Sequence, residues 1–136
     1  MVARNQGNQT KSFLHAPVVL AGSFTIVAGP VMGVQTGRGF TATRVGVGDY
    51  LITATDGTHT DNYQSLQDAN VIVQHTAGAG GIADIIAKVG VVNLAAAGGA
   101  TFQILTHDLT PAIAVAEVPA DDAVHFVFLL GNSEQD

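Results

Sequence analysis

From Val18 onward the chain runs as short apolar stretches separated by glycine or proline, the rhythm of a β-rich domain. Phe24-Thr-Ile-Val-Ala28 alternates and stops at Gly29-Pro30, and Val31–Thr36 follows and stops at Gly37. Phe40-Thr-Ala-Thr-Arg-Val45 and Tyr50-Leu-Ile-Thr-Ala-Thr55 flank Gly46-Val47-Gly48-Asp49, which predicts a hairpin with glycine where a positive φ is needed. A period of two puts Phe40 and Ala42 on one face, with Tyr50, Ile52 and Ala54, and sends Thr41, Thr43, Thr53 and Thr55 to the other. The polar run Asp56–Asp68 predicts a long surface loop. Strands resume at Val71–His75, followed by an Ala77–Gly81 connector.

Residues 82–94 fit two templates. Ile82, Ile85, Ile86 and Val89 have helical spacing, with an Asp84–Lys88 pair one turn apart, whereas Val89-Gly-Val-Val-Asn-Leu94 is β-branched. The reading is a strand over 87–94, with 82–86 open. Ala95–Ala100 predicts a hairpin loop leading into Phe102–His107, and Pro111 and Pro119 bracket a strand at Ile113–Glu117. The closing run Val124-His-Phe-Val-Phe-Leu-Leu130 is apolar on nearly both faces. Phe126, Phe128 and Leu130 serve a core, so Val127 and Leu129 point outward and need cover.

These elements predict an all-β protein, an antiparallel β-sandwich or jelly roll of about eight strands. Residues 17–136 form a single β-sandwich domain, preceded at 1–16 by a polar segment that reads as an extended or loosely ordered arm. The arm's apolar anchors are Val2, Phe13 and Leu14, and its cations are Arg4 and Lys11.

Composition sharpens this picture. The 136 residues are 47% apolar but only 12% charged, with five basic and eleven acidic residues giving −6. So few scattered cations supply no nucleic-acid patch. Each apolar run is interrupted before it could span a membrane as a helix, and the first residues show no secretory leader. The chain has no cysteine, which excludes disulfides and thiolate chemistry. A domain this apolar and this poor in charge is expected to bury its surplus between copies of itself.

Candidate chemistry is sparse. Gly78-Ala-Gly-Gly-Ile-Ala83 matches a dinucleotide fingerprint, but it lacks the βαβ setting and the acidic residue about 20 positions on, so it reads as a loop. His75, His107 and His125 fall on predicted strands without the close spacing of a metal site, while His15 and His59 lie in polar segments. Ser12, Ser23, Ser65 and Ser133 sit in no nucleophile elbow. Asp121 and Asp122 read as a solvated turn. No catalytic, metal or cofactor site is expected.

The chain has the size of a trimeric dUTP-hydrolysing enzyme, but its short acidic C-terminus, Gly131-Asn-Ser-Glu-Gln-Asp136, is not that family's glycine-rich phosphate arm. Two other segments carry a family likeness. Gly39-Phe-Thr-Ala-Thr-Arg-Val-Gly-Val-Gly-Asp-Tyr-Leu-Ile-Thr-Ala54 resembles a hairpin of small tailed-phage virion proteins, and Val124-His-Phe-Val-Phe-Leu-Leu-Gly-Asn-Ser133 is similar to their final strand. The resemblance spans 18–133 in outline. It implies a jelly-roll head-decoration (cement) protein that binds the capsid exterior as a homodimer or homotrimer and braces neighbouring copies of the major capsid protein. It implies no enzyme activity and no cofactor, and neither nucleic acid nor membrane as partner. The expected contacts are Val2, Arg4, Lys11, Phe13 and Leu14 of the arm, docked by strand addition, with Val127 and Leu129. Two alternatives stand beside it: a receptor- or glycan-binding head of a phage fibre or tail, and a small hydrolase with a site built between subunits.

Overall fold

The computed structural model describes residues 18–55, 63–75, 85–109, 113–120 and 122–132. Among them nine strands form: β1 (Val18–Val27), β2 (Val31–Gly37), β3 (Phe40–Gly46), β4 (Asp49–Ala54), β5 (Tyr63–Gln74), β6 (Ile85–Asn93), β7 (Thr101–Asp108), β8 (Ala114–Val115) and β9 (Ala123–Asn132). They make two antiparallel sheets. One has the order β2-β1-β9-β5; the other has the order β3-β4-β7-β6, with β8 pairing to β7 beyond the end of β4. The expected sandwich is therefore what forms, with β3–β4 and β6–β7 as the expected hairpins, β1–β2 as a third, and β9 placed centrally between β1 and β5.

Strict alternation drives this pairing. In β4 every second residue is buried, and Tyr50, Ile52 and Ala54 line the core while Leu51 and Thr53 face out. β9 buries Val124, Phe126, Phe128 and Leu130, and β1 opposes it with Leu20, Phe24 and Ile26. Phe102 of β7 stacks on Phe128 with ring centroids 4.6 Å apart, so aromatic packing crosses the gap between sheets. At one corner a side chain stands in for a strand: Gln35 Nε2 donates to Ala42 O, and Ala42 N donates to Gln35 Oε1, both at 2.9 Å. This ties β2 of one sheet to β3 of the other.

Three expectations change. The surface loop placed over Asp56–Asp68 ends early, because Tyr63–Asp68 already belong to β5. Register shifts at Tyr63/Ser65 and at Leu66/Asp68 break the two-residue alternation there, which is why the run reads as irregular. The open stretch 82–86 resolves at its end into strand, with Ile85 and Ile86 paired to Asp108 and His107. The strand expected over Ile113–Glu117 shrinks to Ala114–Val115: Ala116 still donates to the Thr106 carbonyl, but the Thr106 N–H goes to Gly48 and only its hydroxyl returns to Ala116, while Glu117 turns to Arg44.

Candidate functional site

The densest polar cluster lies where the tip of the β3–β4 hairpin meets the chain after β8. Arg44 and Tyr50 are cross-strand partners on the inner side of that hairpin. The guanidinium of Arg44 grips Glu117 in a two-pronged pair, Nε to Oε1 and Nη2 to Oε2, each 3.0 Å. The Tyr50 hydroxyl donates to Glu117 Oε1 at 2.6 Å and accepts the Val118 N–H at 3.1 Å, while the Gly48 N–H reaches Oε2 at 3.4 Å. Gly48 is required at the tip. Its φ is +61°, and a Cβ there would lie 2.6 Å from the Ala116 carbonyl oxygen and 2.8 Å from that of Thr106.

Burial pushes the Glu117 carboxyl up, but the bonds from Arg44, Tyr50 and Gly48 outweigh it and hold the group below the ordinary carboxylate range. Burial, with the bond to Glu117, raises the Tyr50 phenol. The Glu117 carboxylate and the Tyr50 hydroxyl are both engaged within the cluster, so it works as a clamp between the hairpin and the segment after β8. Because the folded carboxyl titrates below its unfolded value, its stabilisation is present at neutral pH and is lost as pH falls through the folded value. Glu117→Gln should therefore cost about 1–3 kcal/mol near neutrality, by weakening the bond to a buried hydroxyl, and the gap to wild type should close in acid. Urea unfolding at about pH 7 and about pH 3 checks this; an equal gap at both would remove the charge from the account.

A second pair joins the end of β5 to the entry of β9, with His75 Nδ1 2.6 Å from Oδ2 of Asp122, which is buried and not the solvated turn residue expected. The strand histidines do not converge. Among the described residues, no group of three or more His, Asp or Glu side chains gathers to hold a metal ion. His107 lies on the β7 ladder opposite Ile86 and Val115, and His125 sits on the other sheet with its Nε2 2.6 Å from Gln74 Oε1. Ser23 is the cross-strand neighbour of His125, but the third side chain there is the Gln74 amide and not a carboxylate. The Gly78–Ala83 motif, His15, His59, Ser12, Ser133 and Asp121 lie outside the described residues, as do Val2, Arg4, Lys11, Phe13 and Leu14. Nothing local to Arg44 announces this pair, because its partner Glu117 lies 73 positions away.

The outward face of the β2-β1-β9-β5 sheet is unlike either cluster. Its cross-strand rows read Val19–Leu129–Asp68, Ala21–Val127–Asn70, Ser23–His125–Ile72 and Thr25–Ala123–Gln74. Val19, Ile72 and Val127 are 60%, 55% and 47% exposed, and the one carboxylate in these rows, Asp68, sits at the β5 margin. Val127 thus stands where the double-sided pattern of β9 puts it, outward at the middle of a face with little charge, and Leu129 is its half-covered neighbour. A separate apolar area lies on the other sheet, where Ile86 and Val115 flank His107 and Ile113 is exposed beside them. Exposed apolar surface of this kind gains free energy when it is covered and water is released. Comparison with protein-family models, with curated proteins and with solved structures returns no match for this chain.

Proposed function

We propose that this chain is a structural virion protein of a tailed bacteriophage, a head-decoration protein that attaches to the outside of the assembled capsid. It acts as a homo-oligomer and cements neighbouring copies of the major capsid protein. The observation that carries this reading is the pair of exposed apolar areas on opposite sheets, one around Val19, Ile72 and Val127, the other around Ile86, Ile113 and Val115. A cement has to join its own copies and also grip the shell, and one apolar area per sheet leaves one face for each task. The resemblance of the β3–β4 hairpin and of β9 to phage virion strands supports the same reading.

The mechanism is mass action. Binding to the closed shell and not to its dissociated subunits shifts the assembly equilibrium toward the shell, and many weak contacts around one particle add through avidity. Shells assembled from the cognate capsid protein, mixed with this chain and sedimented, should carry it into the pellet, and their temperature of disassembly should rise. Chain that stays in the supernatant, with shell stability unchanged, would overturn the proposal.

A further inference from the structure

We infer that the outward face of the β2-β1-β9-β5 sheet is where two copies of this chain meet, sheet against sheet, with Val127 near the two-fold axis. This rests on the homo-oligomer part of the reading above and needs nothing of the shell. The first argument is electrostatic. Each chain carries a net charge of −6, so two copies repel unless they approach through a neutral surface. The rows centred on Ala21–Val127–Asn70 are such a surface, with their single carboxylate at one margin. The outer side of the other sheet instead mixes Asp49 and Lys88 into its central row around Leu105.

The second argument is area. Four strands at ~4.8 Å spacing, the central two ten residues long at ~3.3 Å each, span roughly 19 by 33 Å, or about 600 Å² per copy. Doubled, about 1,200 Å² reaches the lower end of stable interfaces. The third argument is that several polar groups of the face are already bonded. His125 and Gln74 bond each other at 2.6 Å, Thr25 Oγ1 accepts the Val34 N–H at 3.0 Å and Asp68 Oδ1 accepts the Ala69 N–H at 2.9 Å, which leaves Asn70 and Ser23 to bond across the contact. The small side chains of Ala21 and Ala123 also let a second sheet approach to ~10 Å. A face with no charge pattern offers a foreign partner little to select, whereas a two-fold sets the same apolar patch against itself.

The test is the molar mass of the full chain in solution. At about 0.1 mM, wild type should weigh twice the 13.9 kDa of one chain, and Val127→Glu should weaken association at least ~100-fold and run as single chains. Val91→Glu, at a more open position on the other sheet, should keep the wild-type mass. Circular dichroism reports whether each variant is folded. Should Val127→Glu misfold, Val127→Cys decides, because the chain has no cysteine of its own. A ~10 Å sheet spacing is too wide for a direct disulfide but suits a short bis-maleimide, which should link Val127→Cys into dimers and leave Val91→Cys unlinked.

Wild type that stays a single chain, or a folded Val127→Glu that keeps the wild-type mass, would overturn the inference. So would an unlinked Val127→Cys. Shell sedimentation is scored separately. A dimer that ignores shells leaves this interface standing and removes the shell reading, whereas a single chain that pellets with shells does the reverse.

Discussion

Phe128→Ala should lower stability by about 3–5 kcal/mol, a large share of the roughly 5–15 kcal/mol that holds a domain folded. Phe128 has no solvent exposure and lies between two other rings, 4.6 Å from Phe102 on the facing sheet and 5.1 Å from Phe126 on its own strand. Truncation removes the transfer free energy of a whole ring and leaves a void that two stiff sheets close only in part. For a chain of this length, the melting temperature should fall by on the order of 10–20 °C. Phe128→Leu, which keeps most of the volume, should lose far less. Thermal and urea unfolding at one fixed protein concentration measure both, since association raises apparent stability. A Phe128→Ala loss below about 1 kcal/mol would mean that this stack does not hold the two sheets together.

Gly99→Ala should be comparably damaging, at about 2–5 kcal/mol, although it adds a single methyl group. Gly99 closes the loop between β6 and β7 with φ +120°, and a Cβ there would lie 2.0 Å from the Ala54 carbonyl oxygen. Relief requires pulling the loop away from the end of β4, which breaks the 2.8 Å bond from Ala54 N to Ala100 O and opens a corner where both alanines are buried. Its neighbour Gly98 is the control. Nothing approaches a Cβ at Gly98 within 4 Å, so Gly98→Ala should stay within about 0.5 kcal/mol of wild type. Equal unfolding midpoints for the two variants would contradict the loop geometry.

What could be read from the chain itself was whatever repeats locally. The alternation in Phe40–Val45 and Tyr50–Thr55 needs no distant partner, and those residues became β3 and β4 facing as expected. The double-sided run ending at Leu130 likewise put Phe126 and Phe128 inside and Val127 outside. The misread segments are those where a distant contact overrides the local period. Tyr63–Asp68 pairs with β9 through two bulges, so its polar side chains mimic a loop. The strand expected to Glu117 is cut short because the Thr106 N–H is taken by Gly48, leaving its hydroxyl to bond Ala116, and because Arg44 and Tyr50 hold the Glu117 carboxylate. The apolar face was half legible. Val127 and Leu129 announce an outward stripe, but nothing local says that Val19 and Ile72 flank it, since that depends on β9 entering between β1 and β5.

That entry has a consequence for biosynthesis. β1 and β5 meet only through β9, which is the latest in chain order of the described strands and lies about 100 residues after β1. At ~5–20 residues per second, Leu20, Phe24 and Ile26 wait on the order of 5–20 s after emerging from the ribosome before their cover is made. Nascent chains are therefore apolar and incomplete for that interval. A chain that stops short of Ala123 lacks the strand that joins β1 to β5 and cannot form this sheet.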